Sequence, residues 1–102
     1  MHQTPYRPHD DATAQMFRKD PAFAAAYLSS VLADGDQAEV MVALRHVVNA
    51  RLGIAQLAEV ADLNAKTLYR TLSPDGNPEL RSLSAILDAI GLRIAIQPAQ
   101  AR

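Results

Sequence analysis

Proline and glycine punctuate this chain in an order that leaves few folds open. The six prolines stand at positions 5, 8, 21, 74, 78 and 98, so the 52 residues from Ala22 to Ser73 contain none. The four glycines are Gly35, Gly53, Gly76 and Gly91, and three of them directly follow an amphipathic run. A glycine in that place predicts the left-handed position that ends a helix, because without a Cβ it adopts positive φ at little cost. Aromatic residues are 5% of the chain and alanine is abundant, so the segments between favour helix over strand. The expected fold is all-α, a five-helix domain.

The chain has 102 residues, enough for one domain, and 49% of them are apolar, enough for a core. Residues 1–19 carry two prolines, early charges and no apolar periodicity, which predicts a flexible N-terminal tail ahead of a domain over 20–102. Asp20-Pro21 then reads as an N-cap followed by proline at the first helical position. Phe23, Tyr27, Leu28, Val31 and Leu32 form an apolar stripe at helical spacing that stops at Gly35. Asp36 with Glu39 three residues on is a variant capping box, and Val40, Leu44, Val47 and Val48 continue as the next stripe up to Gly53. Two short helices are expected over 54–61 and 65–72, with Asn64 capping the second. The run from Ser73 to Pro78 is a loop by composition, and Leu83, Ile86, Leu87 and Ile90 build a fifth helix. Finally Leu92, Ile94 and Ile96 alternate with Arg93, Ala95 and Gln97, a period-two signal for a short C-terminal β-strand over 92–97.

Ten basic against eleven acidic side chains leave a net charge of −1, which excludes binding by bulk positive charge. Six cations (Arg45, Arg51, Lys66, Arg70, Arg81, Arg93) and five acids fall between positions 45 and 93, so any basic face must be small and aimed by the fold. The chain has no cysteine, hence no disulfide and no thiolate metal site. No apolar stretch approaches the roughly 20 residues that span a bilayer, and the first residues lack the apolar core of a signal peptide. A cytoplasmic location is the expectation. Nothing reads as catalytic. Ser29 and Ser30 have no base at a predictable distance, His46 reads as structural or surface, and Asp75-Gly76-Asn77 is a turn rather than a calcium loop. His2, His9, Asp10 and Asp11 have metal-binding side chains but no fixed geometry, so neither a metal nor a cofactor is expected.

The chemistry sits in the two short helices. A helix-turn-helix over 54–73 needs a small residue where the helices cross, and Ala58 supplies it. Leu57, Ala61, Leu63, Leu68 and Leu72 fall where apolar residues must seal the pair against the domain. Opposite Leu68 and Leu72, the second helix presents Ala65, Lys66, Tyr69, Arg70 and Ser73, a face with two cations, an aromatic ring and no acid. Such a face suits the major groove of DNA. Two positions depart from the usual pattern. Asp62 holds the turn position commonly given to glycine, which aspartate tolerates. Ile54 and Ala55 stand where a polar side chain often grips a phosphate at the start of the first helix, leaving Gln56 as the nearest substitute.

The segment AAYLSSVLADGD, followed by LAEVADLNAKTLYRTLSPDGNPELRSLSAILDAIGLRI, resembles the antidote proteins of prophage-type addiction modules, which are HigA-like antitoxins with a Cro/C1-type (Xre-like) helix-turn-helix. The likeness covers about residues 20–98, and TLYRTLS and DGNP are among its most specific parts. The resemblance implies a lambda-repressor-like DNA-binding domain. It also implies a homodimer that represses its own operator and neutralises a RelE-like toxin, hence a type II toxin–antitoxin system.

Carried onto these positions, Lys66, Tyr69 and Arg70 are the base-edge candidates, and Ala65 could meet a thymine methyl. Gln56, Asn64, Thr67 and Arg81 suit phosphate, where they would fix register without reading sequence. A lone strand needs a partner, and pairing with the same segment of another copy would put Leu92, Ile94 and Ile96 at a two-fold dimer interface. Two alternatives stand beside this reading. One is a helical protein-interaction module that no longer binds DNA. The other is a stand-alone prophage transcriptional regulator without a toxin partner.

Overall fold

A computed structural model of the chain describes residues 11–99. Six helices follow one another: α1 (Asp11–Lys19), α2 (Pro21–Asp34), α3 (Gln37–Arg51), α4 (Ile54–Val60), α5 (Ala65–Thr71) and α6 (Leu80–Ala89). His2, His9 and Asp10, weighed above as metal ligands, lie outside the described residues, as does the first half of the expected tail.

The expected tail is corrected over residues 11–19, which form α1 and raise the helix count from five to six. Two side chains one turn apart dock it: Thr13 is buried, and Phe17 is 0% exposed. The Phe17 ring lies 5.5 Å from that of Phe23 and 5.0 Å from that of Tyr27, in tilted contacts that join α1 to α2. Asp11 in the first turn and Arg18 and Lys19 in the last complement the helix dipole. The helix ends are also exchanged with α3. Arg18 Nε donates to the Ala50 carbonyl at 3.2 Å, and Arg51 Nη1 donates to the Phe17 and Arg18 carbonyls at 2.7 and 3.3 Å. Arg51 Nε also donates to the Ile90 carbonyl at 2.6 Å. One guanidinium thereby satisfies orphan carbonyls at the ends of α1 and α6.

Capping follows the residues as read. Asp20 accepts from the Phe23 N–H at 3.1 Å, with Pro21 at the first helical position. Asp36 and Glu39 close a full capping box: the Glu39 N–H donates to Asp36 Oδ1 at 2.9 Å, and the Asp36 N–H donates to Glu39 Oε1 at 2.8 Å. Gly53 and Gly91 are left-handed, with φ of +90° and +85°. Gly35 is not. It is extended, at φ −94°, and glycine is required there for space, since a Cβ would stand 2.9 Å from the Val31 carbonyl oxygen.

α3 is the centre of the bundle, burying Met41, Ala43, Leu44, Val47 and Val48. Around it close Ala24, Tyr27 and Leu28 of α2, Ile54 and Leu57 of α4, Leu68 and Leu72 from α5 and its C-cap, and Ile86 and Ile90 from α6. Leu32, expected in the α2 stripe, is instead 65% exposed.

The C-terminal strand is a second correction. Among the described residues there is no strand, and 92–99 run on without regular structure. Alternation predicts extended backbone, but a strand also needs a ladder partner, and the described residues supply none. The Leu92 N–H instead turns back to the Leu87 carbonyl at 2.8 Å, while Ile94 and Ile96 are 42% and 95% exposed. No helix is long and apolar enough to cross a membrane among the described residues.

Candidate nucleic-acid interface

The two short helices are seven residues each, α4 and α5. Helices this short have little stability of their own and are held by what they bury. Ile54 and Leu57 anchor α4, and Leu68 and Leu72 anchor the back of α5, each under 5% exposed. Ala58 and Leu63 pack against this core from between the helices.

The turn has a defined hydrogen-bond pattern. The Leu63 N–H donates to the Ala58 carbonyl at 2.8 Å and the Asp62 N–H to the Glu59 carbonyl at 3.3 Å. These are the two bonds of a Schellman closure, which requires a left-handed residue after the C-cap. That residue is Asp62, at φ +56°, the one non-glycine residue at positive φ among the described residues. Asn64 then caps α5, its Oδ1 accepting from the Thr67 N–H at 3.1 Å. Closure of α4 and capping of α5 leave Leu63 between them as the hinge of the angle.

With the leucines turned inward, Ala65, Lys66, Thr67 and Arg70 are exposed and Tyr69 is 52% exposed. These five expected site residues share α5, and Asn64 stands at its head. Gln56 on α4 and Arg81 in the first turn of α6 are exposed too, on separate helices. Ser73 does not extend the face as expected: it lies beyond the end of α5, half-buried, and its Oγ donates to the Arg70 carbonyl at 2.7 Å. The loop that follows is tied down by Gln37 at the start of α3, whose Nε2 donates to the Gly76 carbonyl at 2.9 Å and to Asn77 Oδ1 at 3.3 Å.

The structure adds a cation that local sequence pattern does not place here. The guanidinium of Arg45, on α3, lies over the Tyr69 ring at 5.7 Å from its centroid. Arg45 is 24 residues from Tyr69, so no spacing within either helix signals the contact; only the tertiary fold, which brings α5 near α3, creates it. Conversely Arg51, counted among the cations of the same window, is committed to backbone carbonyls. The face thus gathers Arg45, Lys66 and Arg70 around an exposed tyrosine, and α5 itself carries no acid. Planar guanidinium and ammonium donors of this kind match the acceptor atoms of base edges and phosphates.

Comparison with known proteins adds the family. A family model described as "Probable addiction module antidote protein" matches residues 10–98, from the start of α1 to the C-terminal segment. A curated protein of Haemophilus influenzae, described only as uncharacterized, is 28% identical over 71 residues, which are 70% of this chain and 72% of that protein. No solved structure matches. On the extent of the family match, the chain belongs to the addiction module antidote proteins.

Proposed function

We propose that this protein is the antitoxin of a type II toxin–antitoxin module, a sequence-specific autorepressor of the lambda-repressor-like helix-turn-helix kind. Antidote membership supports the antitoxin half and implies a toxin partner. The observation that carries the DNA half is the outward face of α5, where Lys66, Tyr69 and Arg70 are exposed while Leu68 and Leu72 hold the helix from behind. In this reading α5 enters the major groove. Lys66, Tyr69 and Arg70 meet base edges, with Ala65 against a thymine methyl, each good bidentate pair being worth roughly 1–3 kcal/mol of discrimination. Asn64, Thr67, Gln56 and Arg81 hold phosphates and set register. Function is binding alone, with no catalytic step.

Two copies would engage two half-sites about 34–36 Å apart. The exposed apolar side chains of Ile94 and Ile96, beside Leu92, support pairing of the copies through the C-terminal segment. The toxin of this reading is a RelE-like ribonuclease, neutralised by stoichiometric binding. A second reading, a protein-interaction module without DNA, is favoured by the net charge of −1 and by Ile54, which is 4% exposed at the start of α4 where a phosphate donor would be useful.

A mobility-shift titration on duplex DNA from upstream of the gene separates the two. Wild type should shift that duplex ahead of a scrambled one, and Lys66→Ala and Arg70→Ala should each weaken the shift about tenfold or more. Equal binding by wild type and both variants would remove these residues from the recognition face.

A further inference from the structure

We propose that Arg45, held against the Tyr69 ring, forms a phosphate-binding site for the DNA backbone, placed by the meeting of α3 and α5 rather than by the two short helices alone. The inference rests on the DNA-binding reading above and assigns it a residue from outside the helix-turn-helix.

Three observations converge. First, the arginines of this domain divide by what their guanidinium groups touch. Arg51 donates to three backbone carbonyls and Arg18 to one. Among the described residues Arg45 makes no hydrogen bond and no ion pair, and its guanidinium lies by the Tyr69 ring. Second, that contact fixes the group without consuming it. A cation near a ring face is held by the ring quadrupole rather than by a hydrogen-bond acceptor, and the five N–H donors of Arg45 have no acceptor among the described residues. Third, the site is placed where an anion would arrive. Arg45 is half-buried, so its stem is held by the central helix, whereas Tyr69 is 52% exposed on the face that carries Lys66 and Arg70.

A phosphodiester fits this arrangement. It is singly charged, and its two unesterified oxygens match the planar fork of arginine. Arg45 also contacts the Tyr69 ring, and in that respect it is a positioning residue for the groove-facing side chain. A phosphate contact of this type anchors the protein without selecting sequence.

The test is fluorescence anisotropy on two duplexes of equal length, one from upstream of the gene and one scrambled, across about 50–200 mM salt. Arg45→Gln should weaken both about equally, by about tenfold, and should flatten the slope of log affinity against log salt by about 0.9, the value for one phosphate. Tyr69→Phe keeps the stacked ring and should keep most of that slope. Arg45→Gln combined with Tyr69→Ala should be less than the product of the two single effects, because the two side chains act as a unit. In wild type, the Arg45 Nε–H resonance of nitrogen-15-labelled protein should shift on adding either duplex, a readout independent of whether any variant folds. Wild-type binding with an unchanged slope in Arg45→Gln, or with an unmoved Arg45 resonance, overturns this site and leaves the α5 assignment standing. Failure of wild type to bind either duplex overturns both.

Discussion

Truncating Phe17 to alanine measures whether α1 is a working part of the domain. The side chain is 0% exposed and makes ring contacts at 5.0 and 5.5 Å with Tyr27 and Phe23. Phe→Ala at a fully buried site costs about 3–5 kcal/mol, the loss of transfer energy plus the cavity left behind. Each aromatic pair contributes about 0.5–1.5 kcal/mol beyond its area, so the expected loss lies in the upper half of that range, about 4–5 kcal/mol. Against a total stability of about 5–15 kcal/mol this is a large fraction. Urea unfolding followed by circular dichroism gives the loss directly, and the melting temperature should fall by about 4–8 °C for each kcal/mol. Gln15→Ala, on the exposed side of the same helix, should stay within about 0.5 kcal/mol of wild type. A loss below about 1 kcal/mol for Phe17→Ala would refute the docking of α1 and return residues 11–19 to a tail.

Other residues yield expectations of different sign. Arg51→Met keeps the aliphatic stem but releases the carbonyls of Phe17, Arg18 and Ile90, and should cost about 2–3 kcal/mol in the same unfolding assay. Asp62→Gly relieves a left-handed backbone at φ +56° and should stabilise the protein by about 0.5–1 kcal/mol, without changing DNA affinity if the turn only sets the helix angle. Burial raises the pKa of Tyr27 above its ordinary value of 10.0. The folded state therefore retains that proton longer than the unfolded state. The associated stability is fully present below pH 10 and is lost as pH rises through the folded-state value, so the alkaline fall in unfolding free energy should be shallower in Tyr27→Phe.

Most of the bundle was legible because its signals are local. Asp20-Pro21, the Asp36 and Glu39 pair, and Asn64 ahead of Thr67 each announce a helix start within four residues, and each makes the expected hydrogen bond. The stripe of α3 and the leucines behind α5 appear as periodicity, which depends only on the helical repeat. The exposed residues of α5 follow from the same arithmetic. What was not legible depends on partners distant in the chain. α1 buries only Thr13 and Phe17, too few to make a stripe, and its stability comes from rings on α2 and from hydrogen bonds exchanged with α3. Arg45 and Arg51 are alike as letters in the sequence. Packing assigns one to a tyrosine face and the other to helix ends. The alternation of Leu92, Ile94 and Ile96 is genuine, but alternation reports which faces are apolar and says nothing about whether a neighbouring strand exists. Gly35 was read for its backbone freedom and is required instead for close approach.

The central claim is that the outward side of α5 is where DNA binds. Backbone amide chemical-shift mapping of nitrogen-15-labelled protein, titrated with the upstream duplex, tests it most directly. The account predicts that the largest shifts fall on residues 64–70, with Arg45 joining them from α3, while the buried side of the bundle stays still. Shifts gathered on the C-terminal segment or the α2–α3 turn, with 64–70 unmoved, would contradict it.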